Sequence, residues 1–258
     1  VSYLRNEGAV SRVVSSRVSQ SAVSEASRAA ESARSDVVSA SSELSSALVE
    51  AMSRTTSRYQ SSNRTSGQSI SSVEELGKSA DSLRTISEQV AKSTGLSSSQ
   101  VSQIAFQLSG GIGTPGISPI RANASGNAGK SYSSNLTEQQ QKVASELTND
   151  QLRQFRSFAD RATRDQTFAS ALGAESREGQ ELASRLSTAT TRVDSAQSVF
   201  AERQAVAKRL STAYESGEAL SIDLAQLPAN SDFMRRYQRL AAEYGSDSLA
   251  LQAAMASE

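Results

Sequence analysis

The sequence lacks the residue types on which much enzyme chemistry depends. Its 258 residues contain no cysteine, no histidine and no tryptophan. Without thiols or imidazoles, the chain has no disulfide, no cysteine nucleophile, no histidine acid–base catalyst and no ordinary zinc site. A cysteine-free chain is equally suited to an oxidising and to a reducing compartment. We therefore expect a protein that is not an enzyme and that uses no cofactor or metal.

The sequence also lacks an excess of charge of either sign. Lys and Arg together number 27, and Asp and Glu together number 27. A net charge of zero gives no general attraction to nucleic acid or to anionic lipid, so we expect no nucleic-acid partner. No stretch approaches the ~20 consecutive apolar residues of a membrane-spanning helix. Because the chain begins with Val1 rather than methionine, we expect it to be a fragment or a processed product.

Helix-breaking residues are scarce, and serine is abundant. The only prolines are Pro115, Pro119 and Pro228, which leaves two long stretches without the strongest helix breaker. Hydrophobic residues make up 37% of the chain. These features predict an all-α fold of long, thin helices that pack through alanine and serine, with several shorter helices and one Gly-rich loop or small hairpin.

The first long helix is predicted from about Ser11 to Asn63. One face recurs about every 3.67 residues, which is an eleven-residue period and predicts a nearly straight helix. Most of its members are small. They are Val14, Val18, Ala22, Ala26, Ala29, Ala33, Val37, Ala40, Leu44, Ala47, Ala51, Thr55 and Arg58.

A second long helix is predicted from about Glu178 to Glu215, and its face carries larger side chains. Large side chains on one helix fit against small ones on another, so we predict that the two long helices pack side by side and antiparallel. The members of this second face are Leu182, Leu186, Ala189, Val193, Ala196, Phe200, Arg203, Ala207, Leu210 and Tyr214.

Shorter helices are predicted from capping signals, in which Ser, Thr or Asn is followed three residues later by Glu or Gln. These signals begin at Ser71, Ser97, Asn135 and Thr148. Further helices are predicted near 165–172, 221–227, 231–244 and 246–256. The chain then divides into four segments. They are 1–109 with the first long helix and two capped helices, 110–135 as a Gly/Pro-rich loop, 136–217 ending in the second long helix, and 218–258 as a small helical segment.

The segment of residues 110–135 holds six of the 14 glycines and two of the three prolines. Long loops inside a compact protein are often functional, and large apolar groups are the usual anchors of an interface. We therefore predict that this segment contacts a partner. The candidate partner-binding residues are Ile112, Ile117 and Ile120 in the loop, together with Phe233 and Tyr237 in the C-terminal segment.

One motif in the same segment resembles a phosphate-binding loop. Ala124-Ser-Gly-Asn-Ala-Gly-Lys130-Ser131 has Ala in place of the first glycine. A functional loop of this kind follows a buried strand and opens a helix at the lysine. Pro119 and Arg121 precede the motif, and the next helix signal comes only at Asn135. We therefore predict no nucleotide binding.

Two runs of sequence give the chain a family likeness. The first is Ser93-Thr-Gly-Leu-Ser-Ser-Ser-Gln-Val-Ser-Gln-Ile-Ala-Phe-Gln-Leu-Ser-Gly-Gly-Ile-Gly, in which a Ser/Arg-rich helix leads into a capped helix and a Gly-rich loop. The second is Asp232-Phe-Met-Arg-Arg-Tyr-Gln-Arg-Leu-Ala-Ala-Glu-Tyr-Gly-Ser. Together they resemble the C-terminal region of the TraG family, the mating-pair stabilisation proteins of F-type conjugative type IV secretion systems.

The resemblance implies a periplasmic domain that follows a membrane-spanning N-terminal region absent from these residues. Its implied partners are the entry-exclusion protein of the recipient cell and other components of the secretion system, with a homo-oligomer also possible. No catalytic residue carries over from this family. The alternative interpretation is a cytoplasmic coiled-coil scaffold or a phage-associated rod protein.

Overall fold

The all-α class predicted for the chain is confirmed by its structure. The computed structural model describes residues 13–65, 71–109, 136–164, 168, 176–223, 232–245 and 247–257. Within these ranges the chain forms eight helices and one two-stranded sheet. The predicted loop of residues 110–135 lies outside the described residues, as does the predicted helix near 165–172 apart from Phe168.

Two of the helices are much longer than the others. The helices are α1 (Gln20–Thr65), α2 (Ser71–Thr94), α3 (Ser98–Leu108), α4 (Glu138–Glu146), α5 (Asn149–Arg164), α6 (Arg177–Ser216), α7 (Asp232–Tyr244) and α8 (Asp247–Ala256). The strands are β1 (Val13–Arg17) and β2 (Ala219–Asp223). Helices α1 and α6, of 46 and 40 residues, are the two long helices that the sequence predicted.

The chain divides into two compact units. The central unit is Asp36–Gln197, and the terminal unit joins Val1–Ser35 to Ser198–Glu258. Both boundaries fall inside the long helices, so α1 and α6 contribute residues to each unit. The sequence suggested four segments that follow one another along the chain. The two units are arranged differently, because the terminal unit combines both ends of the chain.

Capping signals fix where the shorter helices begin. The Ser97 hydroxyl accepts a hydrogen bond from the backbone N–H of Gln100 at 3.2 Å, and the Gln100 side-chain oxygen accepts from the Ser97 N–H at 3.0 Å. Thr148 and Gln151 form the same reciprocal pair. These two predicted starts are confirmed, as are the start of α2 at Ser71 and its end before Gly95, whose φ is 74°.

A third predicted start was wrong by two residues. The capping residue of α4 is Thr137, not Asn135, because the side chain of Gln140 lies three residues beyond Thr137 and returns the hydrogen bond. Thr137 and Gln140 have the same spacing as the predicted pair of Asn135 and Glu138. The threonine hydroxyl and the glutamine amide together satisfy two backbone N–H groups, which stabilises the later start.

The strands overturn two helix predictions in the terminal unit. Residues 13–17 were predicted as helix and form β1, and residues 221–223 were predicted as helix and lie in β2. The strands pair antiparallel, with Val13 opposite Asp223 and Arg17 opposite Ala219. Their pairing satisfies backbone groups over five residues in each strand, and α1 begins only after Ser19, whose hydroxyl accepts from the Ala22 N–H at 3.2 Å.

The turn that leads from α6 into β2 is set by Gly217. Its φ of 68° is left-handed, and the following residue, Glu218, donates its N–H to the Ala213 carbonyl at 3.0 Å. This six-to-one hydrogen bond is the usual way in which a glycine ends a helix. The glycine therefore stops α6 and turns the chain into the strand.

The core of the central unit is built around phenylalanine. Phe106 on α3 contacts Phe155 on α5 edge to face, with ring centroids 5.0 Å apart. Phe158 lies 6.0 Å from Phe106 and 5.6 Å from Phe168. All four rings are buried, and they account for four of the six phenylalanines of the chain. These rings bring α3 and α5 together.

Three ion pairs show how α1 and α6 run within the central unit. Glu43 pairs with Arg192 at 2.7 Å, Glu50 with Arg185 at 2.6 Å, and Arg54 with Glu178 at 3.0 Å. As the residue number rises along α1, the partner number falls along α6. The order of these pairs makes the two helices antiparallel over this stretch, and their close packing along the predicted length remains a prediction. The buried faces of the stretch match the predicted ones at Ala40, Leu44, Ala47 and Ala51 and at Leu182, Leu186, Ala189 and Val193.

The core of the terminal unit is built largely from alanine. Among its described residues, the buried apolar group includes Val18, Ala22, Ala26, Val206, Leu210, Ala213, Leu220, Phe233, Leu240, Ala250, Ala253, Ala254, Met255 and Ala256. Gln252 of α8 is also buried and accepts a hydrogen bond from the Ser19 N–H at 3.0 Å. This contact holds the junction between β1 and α1 against the last helix.

Candidate functional site

Only two of the five predicted partner-binding residues lie in the described part of the chain. Ile112, Ile117 and Ile120 lie outside it, so their role stays a prediction. Phe233 and Tyr237 are both on α7 in the terminal unit. The structure thus locates the C-terminal candidates and leaves the loop candidates to experiment.

Phe233 was predicted to contact a partner, and the structure gives it a different role. Its side chain is only 3% exposed and belongs to the core of the terminal unit. Phe233 and Leu240 are separated by two helical turns, so they share the inward face of α7. Tyr237 and Tyr244 pack partly buried at the edge of the same core. The periodicity of these four residues, rather than their size, determined where they point.

Charged groups surround the polar end of this α7 face. Arg203 of α6, which is 9% exposed, forms an ion pair and hydrogen bond with Glu243. Nearby, Arg239 pairs with Glu202 at 2.9 Å. Burial raises the pKa of Tyr244, and Glu243 adds to this effect, while Arg203 opposes it. In the Arg203–Glu243 pair, the carboxylate neutralises the positive charge of an arginine that is buried in the terminal unit.

Glu74 and Glu75 at the start of α2 each lie close to a cation. Glu74, in the first turn of α2, pairs with Lys78 at 2.6 Å and raises the pKa of that lysine through a hydrogen bond and its charge. Glu75 lies 3.9 Å from Arg161 instead. Lys130 and its motif lie outside the described residues, so the absence of nucleotide binding remains a prediction.

A network of amide and hydroxyl groups joins α3 to its neighbours in the central unit. The Gln103 side chain donates to the hydroxyls of Ser42 at 3.3 Å and Ser46 at 3.1 Å. Gln107 donates to the buried Ser45 hydroxyl at 3.4 Å and accepts from Gln140 of α4 at 3.4 Å. These contacts place α3 on the serine-rich side of α1. They give the serines of α1 a structural role.

The most distinctive exposed surface is an arginine-lined face of α5. A shallow groove on this face is lined by Arg153, Arg156, Ser157, Asp160, Arg161 and Arg164. The opposite face of α5 is buried through Leu152, Phe155 and Phe158. This surface was not predicted, although the spacing of the four arginines between the buried positions indicates it in the sequence. Chemically, the face offers guanidinium groups to anions.

The described residues offer neither a metal site nor a membrane span. No three acidic, histidine or cysteine side chains among them are placed to hold a metal ion. Every helix in these ranges falls short of the length and apolar character that crossing a bilayer requires. Among these residues, the candidate binding surfaces are therefore the polar and charged faces of the helices.

Comparison of the chain with protein-family models, with curated proteins and with solved structures finds no match. The likeness to the TraG family consequently depends on the two quoted runs and on the order of elements alone. In the structure, the first run covers the end of α2, Gly95 and the capped helix α3, and the second covers α7.

Proposed function

We propose that this chain is a non-enzymatic interaction domain of a conjugative transfer apparatus. In this proposal it acts in the periplasm as part of an inner-membrane protein, stabilises mating pairs and contacts an entry-exclusion protein. The observation that carries the proposal is the order of signals at the first run. A long helix ends at Gly95, the reciprocal cap of Ser97 and Gln100 opens α3, and the Gly-rich segment follows.

The described architecture supports a binding role for the segment that α3 leads into. Loops held by rigid elements often carry recognition because they change without disturbing the packing beneath them. Helix α3 is held rigidly, since Val101, Ala105, Phe106 and Leu108 are each 0% exposed. The 110–135 segment begins directly after this anchored helix. Its three isoleucines are therefore well placed in the sequence to serve as interface anchors.

A mating assay tests the proposal in cells that carry the full-length gene. Deleting the gene should lower plasmid transfer, and restoring it should recover both transfer and exclusion. Replacing residues 110–135 with a Gly/Ser linker should leave the helicity of the purified chain unchanged but reduce transfer or relax exclusion. The matched control is Lys130→Ala, which alters the same segment and should behave like the parent.

The outcomes separate two claims. If gene deletion changes neither transfer nor exclusion, the conjugation proposal is wrong. If deletion abolishes transfer while the linker variant is fully active, the domain functions in conjugation and the segment is only a connector.

The antiparallel ion-paired stretch of α1 and α6 favours the alternative of a cytoplasmic scaffold or a phage-associated rod. Two of its pairs, Glu43–Arg192 and Glu50–Arg185, are seven residues apart on both helices, a spacing typical of coiled coils. Alkaline phosphatase fused after residue 258 of the full-length protein distinguishes the alternatives. Phosphatase activity in intact cells supports the periplasmic proposal, and its absence together with activity of a cytoplasmic reporter supports the scaffold.

A further inference from the structure

The arginine face of α5 has an unusual composition for a chain without net charge. Its groove contains four cations and a single carboxylate, that of Asp160. The four cations are all arginine. From residue 153 to residue 164 they span about 16 Å along the helix axis. Because Asp150, Asp160 and Glu75 lie next to three of the arginines, the face keeps an excess of one positive charge, in a protein whose total charge is zero.

Asp150 accepts a hydrogen bond from Arg153, and the other two carboxylates around the face lie beyond hydrogen-bond distance of their arginines. Asp150 lies 3.3 Å from Arg153, Asp160 lies 3.8 Å from Arg156, and Glu75 lies 3.9 Å from Arg161. The arginine side chains of these pairs are 47–64% exposed. Exposed pairs of this kind contribute little to stability and exchange partners readily. The guanidinium groups are therefore available to a better-placed acceptor.

The inward side of α5 makes the outward side a rigid platform. Leu152 and Phe155 are 0% exposed and Phe158 is 1% exposed, so the helix is fixed in the core. A fixed helix holds the Cα positions of its arginines in place, so only side-chain freedom is lost when a partner binds. Position and rigidity together distinguish this face from isolated surface arginines elsewhere in the chain.

We propose that the arginine face of α5 docks an acidic segment of a protein partner through carboxylate–guanidinium pairs. Arginine is the favoured cation for this chemistry, because its planar fork matches the two oxygens of a carboxylate. Asp160, Asp150 and Glu75 interrupt the row of arginines. They therefore disfavour binding of a nucleic acid, whose phosphates follow one another without a gap. A nucleic-acid-binding surface also normally belongs to a strongly basic domain, unlike this one.

The test measures binding of a labelled acidic peptide to the purified 258-residue chain by fluorescence anisotropy at low salt. The peptide is a glutamate-rich helix of about 12 residues, a length that covers the face. The reference peptide has glutamine at every glutamate position. We expect binding of the acidic peptide only, and weaker binding as ionic strength rises.

A pair of triple variants localises the binding. The first is Arg156→Gln, Arg161→Gln and Arg164→Gln. The control removes the same charge at Arg28, Arg177 and Arg235, whose side chains are 76%, 92% and 75% exposed. Because each exposed pair contributes a few-fold in binding, the first variant should bind about tenfold more weakly. The control should bind within about twofold of the parent, and circular dichroism should show unchanged helicity in both.

Three results would overturn the inference. They are no binding of the acidic peptide by the parent chain, equal loss of binding in the two triple variants, and tighter binding of a single-stranded DNA oligonucleotide or of phosphatidylglycerol vesicles at this face. The inference depends on the proposed function only in supposing a protein partner. The peptide assay does not involve transfer, so a negative mating assay and a negative peptide assay remain distinguishable.

Discussion

The central and terminal units bury their interiors with different side chains. In the central unit, four phenylalanine rings contact one another in a continuous chain from Phe155 through Phe106 and Phe158 to Phe168. In the terminal unit, seven of the fourteen buried apolar residues among those described are alanine. A core of large rings depends on filling space, whereas a core of alanines depends on backbones approaching closely. The two units should therefore respond in opposite ways to changes in side-chain volume.

Removing a ring from the central unit should have the largest effect. Phe106→Ala deletes the ring that contacts both Phe155 and Phe158, and we expect a loss of about 3–5 kcal/mol in the free energy of unfolding. Amide hydrogen exchange, measured separately for peptides of each unit, should show lost protection in α3 and α5. Met234→Ala, at a side chain 38% exposed, is the control. Equal loss of protection in both units would contradict the comparison.

Enlarging an alanine in the terminal unit should have the next largest effect. Ala253 on α8 is 0% exposed, and Ala253→Leu adds three carbon atoms to this fully buried side chain. We expect a destabilisation of about 1–3 kcal/mol, seen as faster exchange in α7 and α8. The matched variant is Leu249→Met, which conserves volume at a partly buried position and should change little. A stabilised Ala253→Leu protein would show that this core is loosely packed.

The central unit also contains one close approach of backbones, at Gly77 in α2. A Cβ atom at this position would overlap the Cβ and Cγ atoms of Tyr59 in α1. Gly-to-Ala changes within helices normally stabilise by up to about 1 kcal/mol, but here we expect a destabilisation of about 1–3 kcal/mol.

A second substitution sharpens this test. Tyr59→Ala should not rescue Gly77→Ala, because alanine keeps the overlapping Cβ, whereas Tyr59→Gly should restore part of the lost stability. Urea denaturation of the single and double variants measures the coupling between the two positions. Full rescue by Tyr59→Ala would mean that only the ring is in the way.

The smallest effect should come from the ion pairs between α1 and α6. Both side chains of the Glu50–Arg185 pair are more than half exposed, so we expect a coupling of only about 0.2–1 kcal/mol, reduced further by molar salt. A double-mutant cycle with Glu50→Gln and Arg185→Gln measures it at two salt concentrations. A large coupling that persists in molar salt would contradict this expectation.

The sequence predicted helices well where the signal was local or strongly periodic. The reciprocal cap of Ser97 with Gln100 and the stop at Gly95 require only neighbouring residues, and both were located correctly. From Ala22 to Thr55 the predicted face of α1 has ten members. Nine of them are buried, and the tenth, Ala29, is half-buried. Arg58, its last predicted member, is exposed, because the face shifts towards Leu48, Met52 and Thr56.

The errors arose where distant parts of the chain decide local structure. Residues 13–17 become a strand because β2, about two hundred residues later, supplies the hydrogen-bonding partner. The size of Phe233 suggested a contact with another protein, whereas its spacing with Leu240 places both side chains on the buried face of α7. The arginine face of α5 was not predicted, because its arginines align only once Leu152, Phe155 and Phe158 are placed on the buried side of the helix.

The pairing of β1 with β2 also has a consequence for how the protein is made. Val13 pairs with Asp223, and Ser19 is held by Gln252, so the terminal unit needs residues from both sides of the central unit. On the ribosome, the early strand emerges long before its partner and must wait until the final helix has been synthesised. The central unit is continuous in sequence and is complete sooner, and its folding reduces the length of flexible chain between the two strands. Ribosomes stalled before α8 would therefore carry a folded middle and an unprotected beginning, a state that limited proteolysis of the nascent chain can detect.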